Sequence, residues 1–184
     1  MRRSAVRPTF LAMLVLLAVP ALGCAVGAPE GTSGGFRATV AYAVDGDTLR
    51  IREADGGLAY VRLVGIDTPE DVRPGSPVEC GSREAARSMD HLAPEGAGVR
   101  LRYDPVAGRE DRYGRILAHA WVDGRSLELA QLHRGWAYVY RYHGQRFDGL
   151  GRFYAVQEAA RRARRGAWGR CGGDFHSSEP GRQD

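Results

Sequence analysis

Residues 48–70, TLRIREADGGLAYVRLVGIDTPE, contain a strand, a turn, a second strand and its stop. Thr48–Arg52 alternates apolar and polar residues, the period of a strand with one buried face. Glu53–Gly57 holds Asp-Gly-Gly, a hairpin signal. Leu58–Ile66 continues as the next strand, and Thr68-Pro69 ends it, because proline has no N–H to give to a ladder. Upstream, Arg37–Val44 is β-rich and runs into Asp45-Gly46-Asp47-Thr48. Asp-Gly is a turn signal, but two acids flanking a glycine are also half of a cation site. The four residues alone leave both readings open.

Downstream, Glu70–Gly81 is rich in proline and glycine and reads as a loop. A helix is expected over Ser82–Leu92, with Ser82 as N-cap and Glu84 in the first turn. Val99–Asp104 and Ile116–Val122 are the fourth and fifth strands, and Asp123-Gly124 turns the chain. Leu127–His133 is a short helix stopped by Gly135. Leu150–Arg164 is the longest helical pattern, with Phe153, Val156, Ala160 and Ala163 as its inner face and Gly166 as its stop. Five short strands, with a helix between the third and fourth, give an α+β chain: a five-stranded OB-fold β-barrel with three α-helices.

The chain has 184 residues and a hydrophobic fraction of 43%, enough for one domain with a real core. Its formal charge of +4 overstates its basicity. Arg2, Arg3 and Arg7 sit in an acid-free leader, where a basic start, an apolar run from Phe10 to Val19 and small residues before Cys24 read as an export signal. Without residues 1–23, 23 arginines face 22 acids, so an anion site must be local rather than global. Ala21-Leu22-Gly23-Cys24 approximates a lipoprotein cleavage box, with Cys24 as the lipid-attachment residue; simple cleavage and release is the other reading. Residues 24–35 read as a flexible linker, 36–172 as the domain and 173–184 as a disordered tail. In an oxidising compartment, Cys80 and Cys171 are most simply a disulfide. The five histidines are scattered without ligand spacing, so no zinc site is expected.

Two further motifs bear on the opening question. VRLVGIDTPE supplies Arg62, Asp67, Thr68 and Glu70, and EDRYGR supplies Asp111, Arg112, Tyr113 and Arg115. Phosphodiester hydrolysis needs a hard cation held by oxygens, a carboxylate to position or deprotonate water, and guanidiniums for the phosphoryl oxygens. Asp47, Asp67, Glu70, Arg62 and Arg115 supply all of these parts. Arg62 and Asp67 are five apart, however, and a regular strand would point them to opposite faces. They share a pocket only if the strand ends or bulges, and Gly65 is the place for it.

VDGDT, RLVGIDTPE and DRYGR, in this order, closely resemble the thermonuclease (staphylococcal nuclease-like) family across Phe36 to Gly172. The resemblance implies a calcium-dependent nuclease that cuts DNA and RNA and leaves 3′-phosphate ends; the leader adds export, with release or attachment to a bacterial membrane through Cys24, and a monomer is expected. The resemblance also implies Asp47 and Asp67 as carboxylate ligands of Ca2+, and Thr68 as a backbone-carbonyl ligand. Glu70 would be the general base or the water-orienting acid. Arg62 and Arg115 would bind phosphate, and Tyr113 would contact a nucleotide phosphate. Tyr138, Tyr140 and Tyr142 are alternative stacking partners for a base, which would favour single strands. A non-catalytic OB-fold module that binds nucleic acid at the cell surface is the alternative, but it would be expected to lose acids or arginines at the site; an OB-fold module binding saccharide or protein would not need the five charged residues together. The Arg161, Arg162, Arg164 and Arg165 cluster reads as a solvated helix end or a further nucleic-acid contact.

Overall fold

The structure, a computed structural model, describes residues 34–70 and 78–177. The expected signal segment, Cys24 and most of the expected linker lie outside these residues. Five strands close a barrel: β1 (Gly35–Ala43), β2 (Thr48–Arg52), β3 (Leu58–Leu63), β5 (Gly98–Arg102) and β6 (Ile116–Val122). β1 pairs antiparallel with both β2 and β5, β2 with β3, and β5 with β6. A parallel β3–β6 pairing completes the ring. Three two-residue strands sit outside it. β4 (Ile66–Asp67) pairs with β8 (Tyr138–Val139), and β7 (Arg125–Ser126) pairs with β6. Inward-facing Val40, Leu49, Ile51, Val61, Leu63, Val99 and Leu101 are almost completely buried, which is the alternation written in the sequence.

The three expected helices are α1 (Ser82–Leu92), α2 (Leu127–Arg134) and α3 (Leu150–Arg162); a single turn, α4 (Ala167–Arg170), follows. Ser126 caps α2 by accepting from the Leu129 N–H at 3.2 Å. Gln131, on the inner side of α2, is fully buried. Its amide nitrogen donates to the carbonyls of Gly46, at 2.8 Å, and Ala85, at 3.0 Å, and its oxygen accepts from Ser88 at 2.6 Å. One side chain thus joins α1, α2 and the Asp45–Thr48 turn. Between barrel and helices, buried His119 lies 3.2 Å from Glu128 and 3.3 Å from Asp104.

Several expectations need correction. Gly81, not Ser82, is the N-cap of α1, and no side chain caps it. Ser82 is already the first helical residue, and its hydroxyl is buried without a partner among the described residues. The strand expected over Leu58–Ile66 is two strands, divided at Val64-Gly65. Ala163 is exposed at the end of α3, and Ala167, one turn further, takes the buried place. The domain extends at both ends: Gly35 begins β1, and residues 173–177 pack on the fold through Phe175, which is 4% exposed.

Candidate active site

The Asp45–Thr48 turn is built by its own acids. Asp45 accepts the Asp47 N–H at 2.9 Å through its carboxylate, while the Val44 N–H donates to the Thr48 carbonyl at 2.9 Å. A side chain at Gly46 would collide with Thr68 and Ala85, so the turn is pressed against both. This drives Asp47 inward, to 2% exposure. Its Oδ1 accepts from the Thr48 hydroxyl at 3.0 Å, and its Oδ2 accepts from the Thr68 N–H at 3.0 Å and the Thr68 hydroxyl at 3.2 Å.

Gly65 resolves the five-residue spacing. It takes φ +86°, turns the chain out of β3 and lets β4 return Asp67 to the side of Arg62. Arg62 Nη2 then lies 2.6 Å from Asp67 Oδ1 and 3.1 Å from Asp47 Oδ2. Its Nη1 donates to the carbonyls of Leu63 and Ile66 at 2.9 and 2.8 Å. Burial pushes the Asp47 carboxyl well above its ordinary range, and the Arg62 charge only partly offsets this. For Arg62, burial acts to lower the pKa, but the carboxylates of Asp47 and Asp67 outweigh it and raise the value.

Barrel closure sets the start of β6 beside β3. The β3–β6 register sets Ile116 opposite Val61 and Leu117 opposite Arg62, so Arg115 enters directly beside the strand that carries Arg62. Asp111 shapes this entry. Its carboxylate accepts from the N–H groups of Tyr113, at 2.9 Å, and Arg115, at 3.0 Å, and from Arg115 Nε at 2.7 Å. Burial acts to raise the Asp111 pKa, but the hydrogen bonds from Arg115 and Tyr113 outweigh it and hold the value low. Tyr113 is 67% exposed at the loop tip, with Arg112 and Arg115 against its ring.

Asp67, Arg62 and Asp47 are therefore in direct contact, and Thr68 joins them through Asp47. Glu70 follows on the same segment, three residues past Asp67. Arg115 is brought alongside by the sheet but spends its guanidinium on Asp111.

Gln131, Glu79 and His176 carry no expectation from the sequence, and Tyr138 is expected only as one of three alternative stacking partners for a base. Gln131 carries the Asp45–Thr48 turn; its only signal was an amide on the apolar side of a helix. Tyr138 lies opposite Asp67 in the β4–β8 pair and donates to Asp67 Oδ2 at 2.7 Å. Burial and the Asp67 charge push the Tyr138 hydroxyl pKa strongly upward. Glu79 accepts from the Glu70 N–H at 2.7 Å, and its own N–H donates to the Glu70 carbonyl at 3.0 Å. His176, in the expected tail, lies 3.0 Å from Glu79 Oε1 and 3.1 Å from the Tyr138 hydroxyl. Tyr140 and Tyr142 are exposed nearby. The Cys80–Cys171 disulfide is formed, with Cα atoms 5.9 Å apart, and it fixes the start of that C-terminal segment beside the loop end carrying Glu79.

Among the described residues, no group of three or more His, Cys, Asp or Glu side chains is gathered as a cation site. The donor set nevertheless suits a hard divalent ion. Carboxylate oxygens from Asp47 and Asp67 converge on one nitrogen of Arg62, and the hydroxyls of Thr48, Thr68 and Tyr138 bond to these carboxylates. Asp47 is buried beside Arg62, and a second positive charge would favour its ionised form.

Residues 60–170 match the family described as "Staphylococcal nuclease homologue". The chain is 32% identical over 126 residues to a protein named thermonuclease from Staphylococcus hyicus, covering 68% of this chain and 71% of that one. It is 33% identical over 137 residues to the SPbeta prophage-derived endonuclease YokF of Bacillus subtilis (strain 168), covering 73% of this chain but only 44% of the relative. It is 31% identical over 137 residues to endonuclease YncB of the same strain, covering 73% and 62%. The barrel closure, the turn at Gly65 and these matches agree: the chain belongs to the staphylococcal nuclease family.

Proposed function

We propose that this chain is a calcium-dependent nuclease that hydrolyses phosphodiester bonds of DNA and RNA by attack of water, leaving 3′-phosphate ends. The observation that carries the reading is the convergence of Asp47 and Asp67 on Arg62, with Thr68 and Glu70 on the same segment. Relatives named thermonuclease and endonuclease support the same reaction class. Asp47, Asp67 and the Thr68 carbonyl would hold Ca2+, which would supply Lewis-acid polarisation of the phosphoryl group. Arg62 would face an equatorial phosphoryl oxygen with its guanidinium. Arg115, aligned by Asp111, neutralises charge on the opposite side. Glu70 positions or deprotonates the attacking water. Tyr113 meets the neighbouring nucleotide phosphate.

Exposed tyrosines beside the fork suit splayed bases, so single-stranded or frayed substrates are preferred. The protein acts outside the cytoplasm, as the leader implies, either released or attached through Cys24. The test is incubation of the purified protein with single-stranded DNA, with calcium and with excess chelator. Cleavage only with calcium supports the reading. Undiminished cleavage in chelator, or none in either condition, overturns it.

A further inference from the structure

Among the described residues, 171–177 lie against the site. Cys171 is bonded to Cys80, and the Cys80 N–H donates to the Ser177 carbonyl at 2.7 Å, so both ends of residues 171–177 are tied to one point. Phe175 packs between the rings of Tyr138 and Trp168, at 5.1 and 4.8 Å. That seats the next residue, His176, edge-on to Tyr138, its two ring nitrogens directed to Tyr138 and Glu79. Each of these leads to a site residue: Tyr138 donates to Asp67, and Glu79 holds the Glu70 backbone at both N–H and carbonyl. The resulting path runs Asp67, Tyr138, His176, Glu79, Glu70. It joins the cation fork to the water-handling acid through the segment that the disulfide secures.

We infer that His176 is a positioning residue for this site and that the Cys80–Cys171 bond acts on the chemistry through it. The inference rests on the roles proposed above for Asp67 and Glu70. Neither ring nitrogen touches the fork itself, so His176 sets the orientation of the side chain and backbone in front of it. Its exposed edge makes the segment separable from the barrel core: removing the imidazole leaves the strands and Gln131 untouched.

The experiment compares wild type, His176→Ala, His176→Gln, the pair Cys80→Ser/Cys171→Ser, and the pair combined with His176→Ala. Each is measured by calorimetric calcium titration without nucleic acid, by kcat and KM on single-stranded DNA, and by thermal melting. His176→Ala is expected to lose about 10- to 100-fold in calcium affinity or kcat, as when a group behind a ligand is removed, with KM and melting little changed. His176→Gln, which can still bond Tyr138, should recover part of that loss. Removing the disulfide should reproduce the loss in wild type but add nothing once His176 is alanine. A His176→Ala protein within about twofold of wild type in both affinity and kcat, well below that range, overturns the inference. So do losses that multiply in the combined variant. If the cysteine pair fails to fold, His176→Ala and His176→Gln decide alone. A wild type that binds calcium but cuts nothing removes the nuclease reading, and the calcium titration still decides this one.

Discussion

Substituting Gly65 tests how one residue lets Arg62 and Asp67 share a pocket. A Cβ built on Gly65 would lie 2.5, 2.6 and 3.0 Å from three atoms of the Phe147 ring. Phe147 cannot swing away freely, because it is buried against Phe153, with ring centroids 5.0 Å apart, and against His119. Gly65→Ala therefore has two costs. Holding a non-glycine residue at φ +86° costs about 1–2 kcal/mol. Overpacking against a fixed ring adds about 1–3 kcal/mol, for a total of about 2–5 kcal/mol. Gly56→Ala is the control: φ is +91°, but nothing lies within 4 Å of the added atom. Only the first cost applies there, about 1–2 kcal/mol. Urea titration followed by tryptophan fluorescence gives both values from the shift in midpoint. Gly65→Ala should be clearly the less stable variant. Equal losses at the two positions would refute the claim that Phe147 and the turn hold this corner together.

Three further outcomes follow. Arg115→Ala should lower the cleavage rate about 100-fold or more in single-turnover assays, the usual effect of losing a placed charge at a transition state; a rate within about threefold would reduce Arg115 to a turn residue. Burial acts to lower the His119 pKa, but hydrogen bonds and charges from Glu128 and Asp104 outweigh it and raise the value above 6.5. The stability this contributes is fully present below about pH 6.5 and is lost as pH rises through the higher folded-state value. The urea stability of wild type over His119→Gln should therefore shrink from pH 6 to pH 9, and a constant difference would contradict the raised pKa. The Cys80–Cys171 bond spans 91 residues, so Cys80→Ser/Cys171→Ser should lose about 4–5 kcal/mol on the chain-entropy account, read in the same titration.

The parts legible in the sequence are those governed by local pattern. β2 begins and ends where alternation places it, because it has one face in the barrel and turn residues at its limits; β6 has the expected bounds, although Ala118, His119 and Ala120 are buried in succession. α2 begins at Leu127 as expected, while its cap, Ser126, was not expected. Asp47, Arg62 and Asp67 each have an ordinary turn or strand reading alone and stood out only through the joint order of the motifs. The angle between Arg62 and Asp67 was foreseen only as a need for a break near Gly65; its form depends on the positive φ and on Phe147, 82 residues away. The N-cap of α1 was misplaced because the disulfide at Cys80 fixes the chain entry, and Gly81 can take a conformation that makes a serine cap unnecessary. Gln131 and His176 were hidden for a related reason. Their partners lie 85 and 97 residues away, and a polar residue on a helix or in a glycine-rich tail carries no local sign of its contact.

The central claim is that the two converging acids form the cation seat of a hydrolytic centre. It is tested most directly by titrating calcium against cleavage rate for wild type and Asp47→Ala, using a 5′-labelled single-stranded oligonucleotide. The account predicts that wild type is silent in chelator and saturates with calcium. For Asp47→Ala, the calcium needed for half-maximal rate should rise by at least about tenfold, as expected when a buried charged ligand is removed. Superimposable calcium curves for the two proteins, or a rate indifferent to calcium, would contradict it.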